Sequence, residues 1–281
     1  MRLLKNHVLF LIFALISLLF SSCSDGQNNI GISVSEEKAA EEIFNSGERE
    51  LIRRRYNDAA EKFKEVERLY PYSDWAKRAL IMQVYTFHKG KEYENVVSAA
   101  NRFIEFHPKD EDIPYAYYLI GLSYYDQVLA IGRDQKLTQE ALKVFKLIIK
   151  EYPDSEYASS SQIKFDFLKN QLASKEMEVG RYYLKRSHYV SAINRFRGII
   201  EDFSTTSQVP EALHRLVEAY LSLGLTDEAQ TAGAILGYNY KSNEWYERSF
   251  ELLRSKGLKP KSLGNSWLSQ IYRQVVKGQW L

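Results

Sequence analysis

Apolar residues recur at helical spacing along most of the chain, and the recurrences themselves form a repeat. Tyr56, Ala59 and Phe63, closed by Tyr70-Pro71, return as Tyr93, Val96 and Ala100, closed by His107-Pro108, with identical spacing. Thr138, Ala141 and Phe145 lead to Tyr152-Pro153; Tyr189, Ala192 and Phe196 lead to Phe203-Ser204; a weaker fifth copy starts at Thr226 with Ala229. The intervals between starts are 37, 45, 51 and 37 residues. Such spacing fits a helix-turn-helix unit of about 34 residues with insertions, the tetratricopeptide pattern in degenerate form.

The residue types explain the pattern. A small residue at the fourth repeat position (Ala59, Val96, Ala141, Ala192, Ala229) lets a second helix approach the first, and the aromatic four places on (Phe63, Phe145, Phe196) lies on the same face. Proline after three of the copies cannot continue a helix and so fixes where the chain turns. Gly47, Gly180 with Tyr183, and Leu216 with Tyr220 occupy matching places before copies one, four and five. The prediction is an all-α fold, a solenoid of about five helix-turn-helix units whose concave face suits extended or helical protein segments. An insertion from Gly121 to Gln135 interrupts the spacing and carries a loop around Gly132, Arg133, Asp134 and Gln135. Glu156 to Gln171 reads as an added or extended helix that divides the solenoid into copies one to three and copies four to five.

Before the repeats the pattern changes. Arg2 and Lys5 precede a 13-residue apolar stretch, Val8 to Phe20 with Ser17 its one polar member, followed by Ser21, Ser22 and Cys23. A membrane-spanning helix needs about 20 apolar residues, so the stretch is too short to span. A basic start, an apolar run and small residues form a secretory signal. Ending on the single cysteine of the chain, it reads as a lipoprotein signal. The Cys23 thiol would take a diacylglyceryl group and, after cleavage, its amine a further acyl chain, giving N-palmitoyl and S-diacylglycerol anchors. Two chains hold stably where one binds marginally. Ser24 stands where, in the bacterial sorting system this signal resembles, aspartate retains lipoproteins in the inner membrane; it points to the outer membrane. The expected organisation is a cleaved signal over 1–22, a lipidated linker over 23–35, repeats over 36–172 and 173–253, and a basic tail over 254–281.

Composition narrows the picture. A net charge of +2 argues against a nucleic-acid partner, and six prolines with 14 glycines in 281 residues suit a mostly helical chain. One cysteine excludes a disulfide framework. From Leu252 to Leu281 there are Arg254, Lys256, Lys259, Lys261, Arg273 and Lys277 and no acid. Within that tail a helix from Ser266 to Trp280 would place Trp267, Ile271 and Val275 on one stripe, fit to lie on anionic lipid, on a partner, or over the last repeat.

Ordered segments carry a resemblance. Leu69 to Tyr72, Ala100 to Ile104, Arg133 to Gln135, Tyr152 to Tyr157, Phe167 to Ala173, and Arg181 to Tyr183 through Tyr189-Val190 to Asn194-Arg195 resemble, in order, signature stretches of the BamD (ComL) family, lipoproteins of the bacterial β-barrel assembly machinery. The likeness covers Ala39 to Leu253. It implies a lipid-anchored scaffold on the periplasmic face of the outer membrane whose N-terminal repeats receive signals of unfolded outer-membrane proteins. Contacts there would include Tyr72, Tyr85 and Arg102. The C-terminal repeats would dock a BamA-like barrel subunit beside other lipoproteins of the machinery. Arg195 with Asn194, and Arg133 with Asp134, are the implied docking residues, and the Arg195 guanidinium offers a planar fork suited to a carboxylate.

Catalytic chemistry is not expected. His7, His88, His107, His188 and His214 lack ligand spacing, and no second cysteine could complete a zinc site. No cofactor beyond the covalent lipid follows. Glu36, Glu37, Glu41 and Glu42 form a solvated acidic face on the first helix. The other reading of the same features is a different repeat-containing envelope lipoprotein that coordinates cell-wall synthesis or envelope traffic through protein contacts.

Overall fold

The computed structural model describes residues 33–128, 135–261 and 267–271. Among them the chain is helical without strands, and ten helices form five consecutive antiparallel pairs. These are α1 (Val34–Ile52) with α2 (Tyr56–Leu69), α3 (Asp74–Lys89) with α4 (Tyr93–Phe106), α5 (Ile113–Tyr125) with α6 (Lys136–Glu151), α7 (Glu156–Lys185) with α8 (Tyr189–Asp202), and α9 (Val209–Ser222) with α10 (Thr226–Asn239). An eleventh helix, α11 (Glu244–Ser255), packs on α9 and α10. The expected repeat solenoid is the observed one, each repeat start marking the second helix of a pair.

Each pair closes on one contact. Phe63, Phe145 and Phe196 are fully buried, and a side chain at the facing Gly47 or Gly121 would come within 2.8 or 2.7 Å of the ring. Gly180 faces Phe196 in the same way. Copies two and five differ. In copy two Val84 and Ala100, both fully buried in one core cluster, hold the corresponding places, with the larger residue now on the first helix. In copy five the space over Gly233 is taken by Leu253 of α11. Exchanging large and small residues between two facing places preserves the packed volume. Gly121 therefore belongs to α5 and to the regular repeat, not to the insertion; the extra residues begin only after the helix ends at Tyr125.

Two turn devices recur. Between the helices of copies one, two, four and five, Arg54, Lys91, Ser187 and Gly224 adopt positive φ of 59°, 60°, 60° and 75°. The next amide donates five residues back, as His188 does to the Tyr183 carbonyl at 3.0 Å, so each first helix ends in a Schellman motif. Between repeats, the second helix ends on Tyr70, His107, Tyr152, Phe203 or Tyr240. Three residues later Ser73, Ser155 and Thr206 donate their hydroxyls back to the carbonyls of Tyr70, Tyr152 and Phe203 at 2.7–2.8 Å.

α7 is one continuous helix of 30 residues. Leu168 in its first half packs with Ala141, Phe145 and Ile148, and Met177 in its second half packs with Ala192 and Phe196. It is an extended first helix, not an added one, and it serves both neighbours. The backbones of first helices of successive pairs also approach in series, α1 to α3, α3 to α5, α5 to α7 and α7 to α9, whereas those of the second helices stay further apart. The first helices consequently lie closer together and form the inner face of the curve.

Past α11 the chain crosses α10, where the Gln230 side chain donates to the Lys259 carbonyl at 2.7 Å and Pro260 lies over Gly233. Residues 267–271 are helical and join the C-terminal core. Leu268 is fully buried, Trp267 Nε1 donates to the Tyr220 hydroxyl at 3.3 Å, and the Arg197 guanidinium stacks 4.8 Å from the Trp267 ring. This part of the tail covers the last repeats; Val275 lies outside the described residues.

Candidate functional site

The inner face of the middle repeats is a ladder of tyrosines. Tyr115 and Tyr118 on α5 each stand 5.2 Å from Tyr157 on α7, and Tyr125 stands 5.9 Å from Phe167. Lys164 lies 5.4 Å over Tyr118 and 5.9 Å over Tyr125. Burial, with Tyr85 and Asp112 nearby, pushes the Tyr115 phenol up to about 12, and burial beside Glu156 raises Tyr157 as well. Both remain neutral hydroxyls at any physiological pH. Flat amphipathic rings flanked by an ammonium give a surface that packs apolar side chains and still hydrogen-bonds a backbone.

The expected substrate contacts are dispersed over three environments. Tyr72 sits in the turn between α2 and α3, 76% exposed. Tyr85 is half-buried on α3 against the second-repeat core, with Lys89 5.3 Å over its ring. Arg102 on α4 donates from Nη2 to Glu67 of α2 at 3.0 Å and to Gln83 of α3 at 3.2 Å, so it ties two repeats together. Of the three, Tyr85 is the one whose neighbourhood reaches the ladder, through Tyr115.

Asn194 and Arg195 lie on the exposed side of α8, behind the buried Phe196. Arg195 Nη1 donates to Glu176 of α7 at 3.0 Å, which holds the guanidinium against its own repeat with 45% of the side chain exposed. Cys23, Arg133 and Asp134 lie outside the described residues. Glu36, Glu41 and Glu42 are exposed on α1, while Glu37 accepts the Asp74 amide at 3.3 Å.

A charged network connects the last two first helices. Arg181 on α7 grips Glu211 on α9 through Nε at 2.8 Å and through Nη2, and Arg215 donates to Glu211 at 3.2 Å and to Glu218 at 2.8 Å. His214 shares a 2.8 Å hydrogen bond with Ser249 of α11 and stacks 5.2 Å from Trp245. Burial alone would raise both carboxyls, but the guanidiniums of Arg181 and Arg215 hold Glu211 below the usual range, and His214 and Arg215 do the same for Glu218. The network ties α7 to α9 across the last two repeats. The spacing of Glu211, Arg215 and Glu218 is that of helix-face ion pairs, a signal available in the sequence. The link to Arg181, 30 residues away, is not.

A family model described as "YfiO: Outer membrane lipoprotein" matches residues 36–235. The chain belongs to the BamD family. A Caulobacter vibrioides relative named outer membrane protein assembly factor BamD is 42% identical over 227 residues, 81% of this chain and 74% of the relative. The BamD of Rickettsia prowazekii is 39% identical over 76% of this chain and 85% of its own length. That of Neisseria meningitidis serogroup A is 26% identical over 84% and 92%. The family match ends within α10, so α11 and the strap that follows it lie beyond it. Among the described residues no group of histidine, cysteine and acidic side chains could hold a metal ion, and no helix is long and apolar enough to cross a membrane.

Proposed function

We propose that this protein is a non-enzymatic scaffold for assembly of outer-membrane β-barrel proteins. It is held at the periplasmic face of the outer membrane by acyl chains on Cys23. The observation that carries the reading is the membership of the BamD family, whose named relatives are outer-membrane protein assembly factors. The tyrosine-lined inner face supports it, since neutral aromatic steps suit segments rich in apolar side chains. In this reading the inner face of the N-terminal repeats receives unfolded outer-membrane proteins. The repeats around Asn194 and Arg195 dock a BamA-like barrel subunit, with further lipoproteins of the machinery alongside. Arg195 would exchange its exposed pairing with Glu176 for a partner carboxylate, an exchange that costs little because exposed ion pairs contribute about 0–1 kcal/mol.

Affinity purification of the tagged chain from gently solubilised envelopes tests this. The expected result is recovery of a barrel subunit, reduced by Arg195→Leu but not by a Lys143→Leu control on exposed α6 surface. Absence of any barrel subunit would sink the reading.

A further inference from the structure

A cleft of about 460 Å³ lies between the end of α7, the start of α8 and the end of α9. Its polar wall is made almost wholly of donors: Arg181, Lys185, Tyr189 and Arg215, with Ser222 beside them and Glu218 the one acid. The two neighbouring carboxylates are already neutralised, Glu211 by Arg181 and Arg215, and Glu218 by Arg215. Lys185 is the surplus charge. It is exposed and forms no ion pair among the described residues.

Tyr189 adds a directed donor. It lines the cleft beside Ser222, whose own hydroxyl proton is already given to the Glu218 carbonyl at 2.8 Å, and a phenol there can donate one hydrogen bond to a ligand. Arg181 holds Glu211 through Nε and Nη2, leaving Nη1 uncommitted. The ends of α7 and α9 bring weakly negative helix termini to the cleft and the start of α8 a weakly positive one. Their sum is about half a negative charge, which the full positive charge of Lys185 outweighs.

We propose that this cleft receives an acidic side chain, aspartate or glutamate, of an extended polypeptide docked on the last repeats. The proposal rests on the scaffold reading and adds to it a chemical preference in its bound segment. One surplus cation matches one carboxylate. Leu184 in the wall and an opening onto solvent suit a side chain carried on a polypeptide better than a fully enclosed free anion. Charge-assisted hydrogen bonds from an ammonium and a phenol would supply the affinity.

The test is fluorescence anisotropy with the full detergent-solubilised chain and a short labelled peptide carrying an Asp-Glu pair between aromatic residues. Its Asn-Gln counterpart and the K185E variant should each bind about tenfold more weakly, the loss expected for one charged hydrogen bond. Y189F should bind about threefold more weakly on the same scale, and both variants should unfold at the wild-type temperature. Equal affinity for the two peptides, or undiminished binding by K185E, would overturn the proposal. So would complete displacement of the peptide by low-millimolar inorganic phosphate, which would mark a site for small anions. Recovery of the barrel subunit is measured separately, so failure of peptide selectivity with that recovery intact overturns this assignment alone.

Discussion

Phe145 occupies the space that a side chain at Gly121 would need: a Cβ there would stand 2.7 Å from Cε1 of the ring. The same relation joins Gly47 to Phe63, whereas Val84 and Ala100 hold the corresponding places in copy two with their sizes exchanged. Gly121→Ala should therefore destabilise the chain by about 1–3 kcal/mol through overpacking. Phe145→Ala should cost about 3–5 kcal/mol through the cavity it leaves. The double variant Gly121→Val with Phe145→Ala copies the second repeat and should recover much of the sum. Urea unfolding of the four proteins measures the coupling, and strictly additive losses would contradict the account.

Glu211 links stability to pH. Its carboxyl, though pushed up by burial, is held below the ordinary 4.5 by Arg181 and Arg215. A group whose folded value is depressed contributes stability above its unfolded value and loses it as the pH falls through the folded one. Glu211→Gln should lower the melting temperature at neutral pH, and the gap to wild type should close in acid. Melting curves from about pH 7 down to about pH 3 check this sign, and a gap that widened in acid would refute it.

Trp267 fastens the segment after α11 to the repeats through Tyr220 and Arg197. Trp267→Ala should cost about 2 kcal/mol, below the range for a fully buried aromatic because the ring is only partly buried. Hydrogen exchange should accelerate in α8 and α9 and stay unchanged in α1 to α4. Uniform acceleration throughout would mean that the strap is not a local cover.

The repeat starts and the small fourth position mark the five second helices in the sequence, and a closing proline marks three of them, because those residues are set by close approach and by chain geometry. Spacing alone puts Gly121 in an insertion, since it does not distinguish a helix with a late break from an early one; the contact with Phe145 puts it in α5. The left-handed turns at Arg54, Lys91 and Ser187 carry no glycine, so nothing in the residue types announced them. Of the site, Arg195 stood in a recognisable pair, but its bond to Glu176 comes from the packing of α7 on α8. Arg181 with Glu211 and the tyrosine ladder arise between repeats and are invisible to a reading along one helix.

Cys23 is proposed to act as the tether. Cys23→Ala should abolish incorporation of labelled fatty acid and release the chain from membranes, and continued labelling would contradict the assignment. Because a tether acts by raising local concentration, high expression of the exported variant should restore part of the function.

If this chain promotes assembly of outer-membrane barrels, its loss must act on folded barrels first. Depletion of the protein in cells, followed by the ratio of folded to unfolded barrel proteins on unheated gels, addresses it most directly. Folded barrels should decline before other envelope defects appear. Barrel levels that stay unchanged while cell-wall synthesis fails would contradict it.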